Sequence, residues 1–404
     1  MGSQDYNNNM KLVQFGGGNI GRSFIGALFS RAGWDVVFVD VDPVLVSRLN
    51  QEQYYTVVIK REGQADEKRR IGPVRAVDGR DLELVSGEIA GADMAATSVG
   101  KGALPKVLPV LARGLEKRFK KEPERPLDII IAENDRTAPE LFKKILTQEL
   151  GPAYPFSRLV GLVETSIGKM VPLMRKTDLA EDPLRLFAEE YETLILDKRG
   201  FKGPLPDIPG LCPSEPIEAF VDRKLFVHNL GHAATAYLGY QKNPKEPFIA
   251  GALKLEGVEA GVRAAMNESV NALALEYPGA YSRQELLDHM EDLLFRFKNS
   301  ALGDTVHRVG RDLSRKLSRD DRLVGAMLLC AKRDVPFGAI AAVYKAALNF
   351  AATDEKGILF PADAQFRSGG SVQLAEVLQK VSGLDSSNAV DKKVIDLLRE
   401  GDAG

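Results

Sequence analysis

Nine residues of this 404-residue chain, Lys224-Leu225-Phe226-Val227-His228-Asn229-Leu230-Gly231-His232, carry an amine, a carboxamide and two imidazoles. An amine is a base once its proton is gone, a carboxamide can donate to a developing oxyanion, and an imidazole can hold or pass a proton. On an α-helix of about 100° per residue, Asn229 falls about 140° and His232 about 80° around the axis from Lys224, with His228 between Lys224 and His232. One face would then offer a base, an amide and an imidazole to one small polar molecule. The same spacing suits a surface helix with a solvated lysine and structural histidines, so the cluster needs corroboration from the rest of the chain.

A second concentration lies at Arg308–Leu317, where Arg308, Arg311, Arg315 and Lys316 face one acid, Asp312. The planar arginine fork suits a phosphate or carboxylate, and a solvated face fits the composition equally well. Overall, 54 cations against 56 acids leave a net charge of −2, with 44% apolar and 27% charged residues. That mixed, near-neutral composition gives no footprint for nucleic acid. No apolar run approaches the roughly 18 residues of a membrane span. The polar start, Met1 to Asn9, lacks the apolar core of a signal peptide and reads as a flexible extension, with the fold beginning near Met10. Two cysteines, Cys212 and Cys330, are too few for a disulfide framework and point to a reducing, cytoplasmic setting. No tight His/Cys/acid set suggests a metal.

The elements that must position these groups fall into two halves. Lys11–Phe15 reads as a strand, followed at once by Gly16-Gly17-Gly18-Asn19-Ile20-Gly21 and then by apolar residues at helical spacing up to Gly33. A second strand, Asp35–Val39, ends at Asp40, 19 residues after Gly21. Strand, G-x-G-x-x-G, helix, strand and acid in that order form a dinucleotide fingerprint. Glycine permits the tight turn and close backbone approach, the helix start attracts a pyrophosphate, and the acid accepts ribose hydroxyls. Gly16, Gly18, Asn19, Ile20, Gly21 and Asp40 are the expected contacts. A carboxylate at Asp40 repels a 2′-phosphate and so favours NAD over NADP. Asp42-Pro43 supplies the next helix cap, which leaves Asp40 to the ribose.

Further strands are predicted at Tyr54–Lys60, Val74–Val77, Met94–Val99 and Leu127–Ala132, with a helix from about Leu104 to Phe119 and a solvated turn over the charged stretch Gln64–Arg70. Ser98 and Val99 close one strand, and Glu133-Asn134 another, at the edge where open α/β sheets bind ligands. Asn134 fits a ligand role and a turn role equally well. Five prolines between Gly203 and Pro216 exclude a helix and mark an ordered crossing. Beyond it helices are predicted at about Ile217–Tyr240, Gly257–Glu276, Arg283–Phe297, Asp321–Cys330, Phe337–Phe350 and Val372–Val381. The expected fold class is α/β, with a Rossmann-like NAD-binding domain over 10–202 followed by a mainly α-helical substrate domain over 203–390.

Phe15 to Arg22, Glu133-Asn134, Phe201-Lys202-Gly203 through Pro209-Gly210, Lys224 to His232 and Arg308 to Leu317 occur in one order. Together, from about Lys11 to Ser387, they resemble the polyol-specific long-chain dehydrogenases. The resemblance implies Lys224 as general base, Asn134 and Asn229 flanking the reacting oxygen, His232 on the substrate, and Arg308 and Lys316 holding it, without a metal. It also implies a small-molecule polyol or sugar-phosphate substrate, with a monomer slightly favoured. Two departures stand out: Gly168-Lys169 where the family has Asp-Arg, and Leu313 where close relatives tend to have Pro. Lys169 could then serve a more anionic substrate. The Phe201–Gly210 match to the phosphate-using branch and the Arg308–Lys316 cations imply interconversion of D-mannitol 1-phosphate and D-fructose 6-phosphate. The alternatives are an unphosphorylated polyol, a hexuronate, or a silent NAD-binding sensor.

Overall fold

The computed structural model describes residues 10–172, 174, 176–368 and 374–400, and the start Met1–Asn9 lies outside them. The chain forms two compact units that part between Ile217 and Glu218.

In the first unit the strands are β1 Lys11–Phe15, β2 Asp35–Asp40, β3 Tyr55–Ile59, β4 Glu67–Ile71, β5 Val74–Asp78, β6 Met94–Thr97, β7 Leu127–Ile131, β8 Val160–Ser166, β9 Leu186–Ala188, β10 Leu194–Asp197 and β11 Leu211–Ser214. Eight of them make one sheet in the order β11-β10-β8-β7-β6-β1-β2-β5. From β8 to β5 every pairing is parallel, and β10 joins β8 antiparallel. Those six parallel strands have the doubly wound order, whose direction of winding reverses between β1 and β6. Their apolar runs pack on both faces. Phe24, Leu28, Phe38 and Leu49 lie in the core on one side, and Val85, Leu108, Leu111 and Phe142 in that on the other.

A second sheet, β4-β3-β9, covers part of the first core. Its β4 corrects the expectation of a turn over Gln64–Arg70. The charges alternate along a strand, so Glu67 and Arg69 pair on one side, and Arg69 reaches Glu192 at 2.6 Å. Ion pairs among Arg61, Glu67, Arg69, Glu190 and Glu192 supply what apolar alternation would elsewhere. The proline-rich crossing also differs from expectation. Instead of opening the second domain at 203, it returns to the first sheet as β11, parallel to β10. Buried Asp128 anchors it by accepting the Lys202 and Gly203 N–H groups at 2.7 and 3.0 Å.

The second unit is helical. The Val258–Glu276 helix buries Val258, Val262, Ala265, Met266, Val270 and Leu273, the stripe that the 3.6-residue period assigns to core. Arg283–Phe297 starts at a Ser282/Glu285 capping box. Of the expected Val372–Val381 helix, Val372 and Gln373 lie outside the described residues. Among the described residues no helix is long and apolar enough to cross a membrane. Cys212 is exposed, Cys330 is buried, and both are free thiols.

Candidate active site

In the first unit the candidate groups gather at the carboxyl ends of β1, β2, β6 and β7. Gly16 has φ +88°, and a Cβ there would stand 2.6 Å from the Ser98 carbonyl oxygen, so only glycine fits. A Cβ on Gly21 would meet the Gly16 carbonyl oxygen at 1.9 Å, which is why the helix can pack against the turn only with glycine there. Gly18 and Asn19 are exposed, nothing lies within 4 Å of a Cβ built on Gly18, and the helix starts at Asn19. An open glycine beside an exposed helix start is the arrangement that a pyrophosphate site requires. Ile20 points the other way and packs on the core.

Asp40 accepts the Gly17 N–H at 2.7 Å and the Asp42 N–H at 3.0 Å. Asp42 caps the next helix through Val44 N–H at 2.9 Å, as expected. Asp40 therefore braces the glycine turn while remaining half-exposed. Sequence reasoning missed Arg22, which is buried. Its Nε donates to the Gly17 carbonyl at 2.5 Å and its guanidinium to Leu184 O at 2.8 Å, so Gly17 is held by both its N–H and its carbonyl. Gln14 donates to the Ser98 hydroxyl at 3.0 Å, and Glu133 accepts the Val99 and Gly100 N–H groups at 3.0 and 2.8 Å. Asn134 is exposed just after β7, beside an Asp135–Lys101 pair at 2.9 Å.

Lys169 departs from expectation. Its ammonium is buried, donates to the carbonyls of Glu189 (2.9 Å) and Tyr191 (2.5 Å), and sits 5.3 Å from the centre of the Phe24 ring. It ties residues 169 and 189–191 together, and is not presented as an anion-binding cation. A Cβ on Gly168 would meet the Tyr191 hydroxyl at 3.6 Å, so an aromatic phenol borders the position of the missing acid.

In the second unit the nine-residue cluster is not an uninterrupted α-helix. Between the helices Ile217–Arg223 and Leu230–Lys242, residues Lys224–Asn229 form a π-turn, with Leu230 N–H donating to Leu225 O. On this wider winding, five steps overshoot one revolution by less than the roughly 140° of an α-helix. Lys224 and Asn229 are thereby brought toward one face, closer than the α-helical projection places them. His232 follows three residues after Asn229, again on that face. Gly231 has its own reason: a Cβ there would meet Met266 Sδ at 2.5 Å, so the Val258–Glu276 helix can approach.

Burial, then the Arg322 cation, push the Lys224 amine down to about 8, with Asp321 opposing. Arg322 is buried, pairs with Asp321 at 2.6 Å and lies 3.5 Å from the Asn229 carbonyl oxygen. Asp321 also takes Arg315 at 3.1 Å. Neither Arg322 nor Asp321 is signalled by the linear motif. Burial and the same two arginines, Arg322 and Arg315, push buried Lys316 down to about 7, and its amine donates to the Arg311 carbonyl. Arg308 pairs with Asp304. Two folded-back N–H groups, from Asp312 and Leu313, donate to buried Asp363 at 3.0 and 2.7 Å and fix the turn at Leu313. His232 stacks on Phe297 with ring centres 4.9 Å apart and 9° between planes. His228 is a core residue: it is buried 5.8 Å from the Phe297 ring, and burial holds it neutral.

A glycine turn braced by a half-exposed acid in one unit, and a desolvated amine on the same turn as a carboxamide and an imidazole in the other, are the parts a two-domain dehydrogenase requires. The chain belongs to the mannitol dehydrogenase family, whose Rossmann-domain model matches residues 10–210 and whose C-terminal-domain model matches residues 216–398. It is 35% identical over 400 residues to mannitol-1-phosphate 5-dehydrogenase of Bacillus licheniformis, covering 96% of this chain and all of the relative. The fold is shared with two solved structures. One is Pseudomonas fluorescens mannitol 2-dehydrogenase in ternary complex with NAD and D-mannitol (TM-score 0.72, 14% identity, 98% of this chain and 93% of the other). The other is a D-sorbitol dehydrogenase in substrate-free form (TM-score 0.75, 17% identity, 97% and 93%). The protein is an oxidoreductase of that family.

Proposed function

We propose that this oxidoreductase interconverts D-mannitol 1-phosphate and D-fructose 6-phosphate with NAD. The observation that carries the reading is the pairing of a poised amine, Lys224 at about 8, with an arginine, Arg308, and a second buried amine, Lys316, in the same unit. The cradle at Gly16–Gly21 and the Asp40 carboxylate fit NAD, which when bound supplies the hydride acceptor. Asp40 would repel the extra phosphate of NADP. Lys224 takes the hydroxyl proton during oxidation and returns it during reduction, a role open to an amine only when its affinity for the proton is lowered toward neutrality. The Asn134 and Asn229 amides donate to the alkoxide without adding charge, and His232 orients the substrate. Arg308 and Lys316 hold the phosphate, and a dianion there would keep Lys316 protonated at neutral pH.

The 35% relationship to a phosphate-ester dehydrogenase supports this choice over an unphosphorylated polyol or a hexuronate. Loss of absorbance at the nicotinamide band with NADH or NADPH, on fructose 6-phosphate, fructose and tagaturonate, tests it. Turnover of fructose 6-phosphate with NADH at least about tenfold above the other combinations is expected. No turnover of the phosphate ester would overturn the reading.

A further inference from the structure

We propose that Asp304 is a positioning residue that couples the substrate-holding Arg308 to His232, a role that rests on the function proposed above. Asp304 is only 8% exposed and divides its two oxygens between the two groups. Oδ2 lies 3.2 Å from His232 Nε2, and Oδ1 pairs with the Arg308 guanidinium. Its backbone is fixed independently, because Asp304 O accepts the Ile249 N–H at 2.9 Å and Val306 N–H donates to Pro247 O at 2.8 Å. Thr305 then caps the Val306–Gly310 helix, accepting the Arg308 N–H at 3.1 Å, so carboxylate and guanidinium leave one short, fixed turn.

The chemistry follows from the shared carboxylate. An acceptor at Nε2 selects the tautomer that carries its proton there, and the stacked Phe297 fixes the plane of the ring. A carboxylate also favours the imidazolium over the neutral ring. When a phosphate dianion engages Arg308, the guanidinium divides its hydrogen bonds, and more of the Asp304 charge falls to His232. Phosphate held at one end of the pair thus sets the state of the histidine at the other. An unphosphorylated substrate leaves that link unused. Asp304 falls outside every linear motif, four residues before Arg308 and 72 after His232.

The test is a double-mutant cycle of Asp304→Asn and His232→Ala in the full chain. Kinetics on fructose 6-phosphate are read beside NADH titration and a ¹⁵N spectrum of the histidine side chains. Asn keeps the shape and loses the charge. Asp304→Asn is expected to lower kcat/KM about tenfold or more, with the loss in kcat, while NADH affinity stays within twofold. In the His232→Ala background the same change should cost less than about threefold, because its effector is gone. The ¹⁵N spectrum of the wild-type chain without substrate should show His232 as the Nε2–H tautomer, and Asp304→Ala should lose that signature. Equal losses in both backgrounds, or a His232 spectrum indifferent to Asp304, would overturn the coupling. Should the wild-type chain leave fructose 6-phosphate untouched, the function proposed above fails, and the spectrum still decides for or against Asp304 as the partner of His232.

Discussion

The glycine turn and the lysine turn present their polar groups with different materials. At Gly16–Gly21 recognition is built from main chain. Glycines bring the N–H groups forward, and Asp40 and Arg22 clamp a single residue, Gly17, by its N–H and its carbonyl. At Lys224–His232 the polar groups are side chains, whose properties are set by residues in the turns before two other helices: Arg322 for the amine and Asp304 for the imidazole. A main-chain site tolerates many side chains around it and depends on a few glycines. A side-chain site depends on every charge within a few ångströms, because burial magnifies each of them.

That difference can be broken most sharply at the base. Lys224→Ala should reduce kcat by about 10³-fold or more while NADH affinity, read by fluorescence titration, changes less than twofold. A variant that kept wild-type kcat would remove Lys224 from the chemistry. Next in size, Asp40→Ala should weaken NADH about 10- to 100-fold, the loss of charge-assisted hydrogen bonds and of the Gly17 brace, with kcat at saturating cofactor largely kept. Together these two would show binding and chemistry residing in separate units. A collapse of both quantities in either variant would blur that division.

The smallest expected effect concerns electrostatics. With the amine at about 8, kcat/KM for polyol oxidation should rise with pH through an inflection near 8, because only the unprotonated amine accepts the hydroxyl proton. For ketose reduction the sign reverses, and kcat/KM should fall as pH rises through the same value. Arg322→Gln removes the leading cationic influence on Lys224, so the inflection should move upward by about half a unit to one unit. An inflection that stays in place would assign the tuning to burial alone.

The same contrast explains what could be read from the chain. The glycine cradle is contiguous, each of its parts answers to a local rule, and β1, β2, β6 and β7 fall within two residues of where the apolar runs end. β4 reads as a turn in the sequence because its face is satisfied by ion pairs, from Arg61 just before it and from Glu192 more than a hundred residues on. β11 escapes the sequence reading because five prolines mark the crossing as irregular, and an edge strand accepts the one it contains, Pro213. Lys169 looked like a free cation because sequence records its charge and not the Glu189 and Tyr191 carbonyls that receive it. Asp304, Asp321 and Arg322 were silent for the same reason: their meaning comes from partners that lie elsewhere in the sequence.

One turn of backbone has a further consequence. A π-turn inside an α-helix is what remains when a single residue is inserted and the flanking helices keep their places. Read that way, Lys224–Asn229 is a frame shift in three dimensions. Everything from Leu230 onward, His232 and the Gly231 contact with Met266 included, keeps the phase of its packing, while Lys224 is advanced by one residue against it. Deleting any one residue between them would restore regular α-winding and cost little in helix content. It would also swing the amine about 100° away from the imidazole. The spacing of the motif is therefore a length of chain that cannot be shortened, even where its individual side chains could be exchanged.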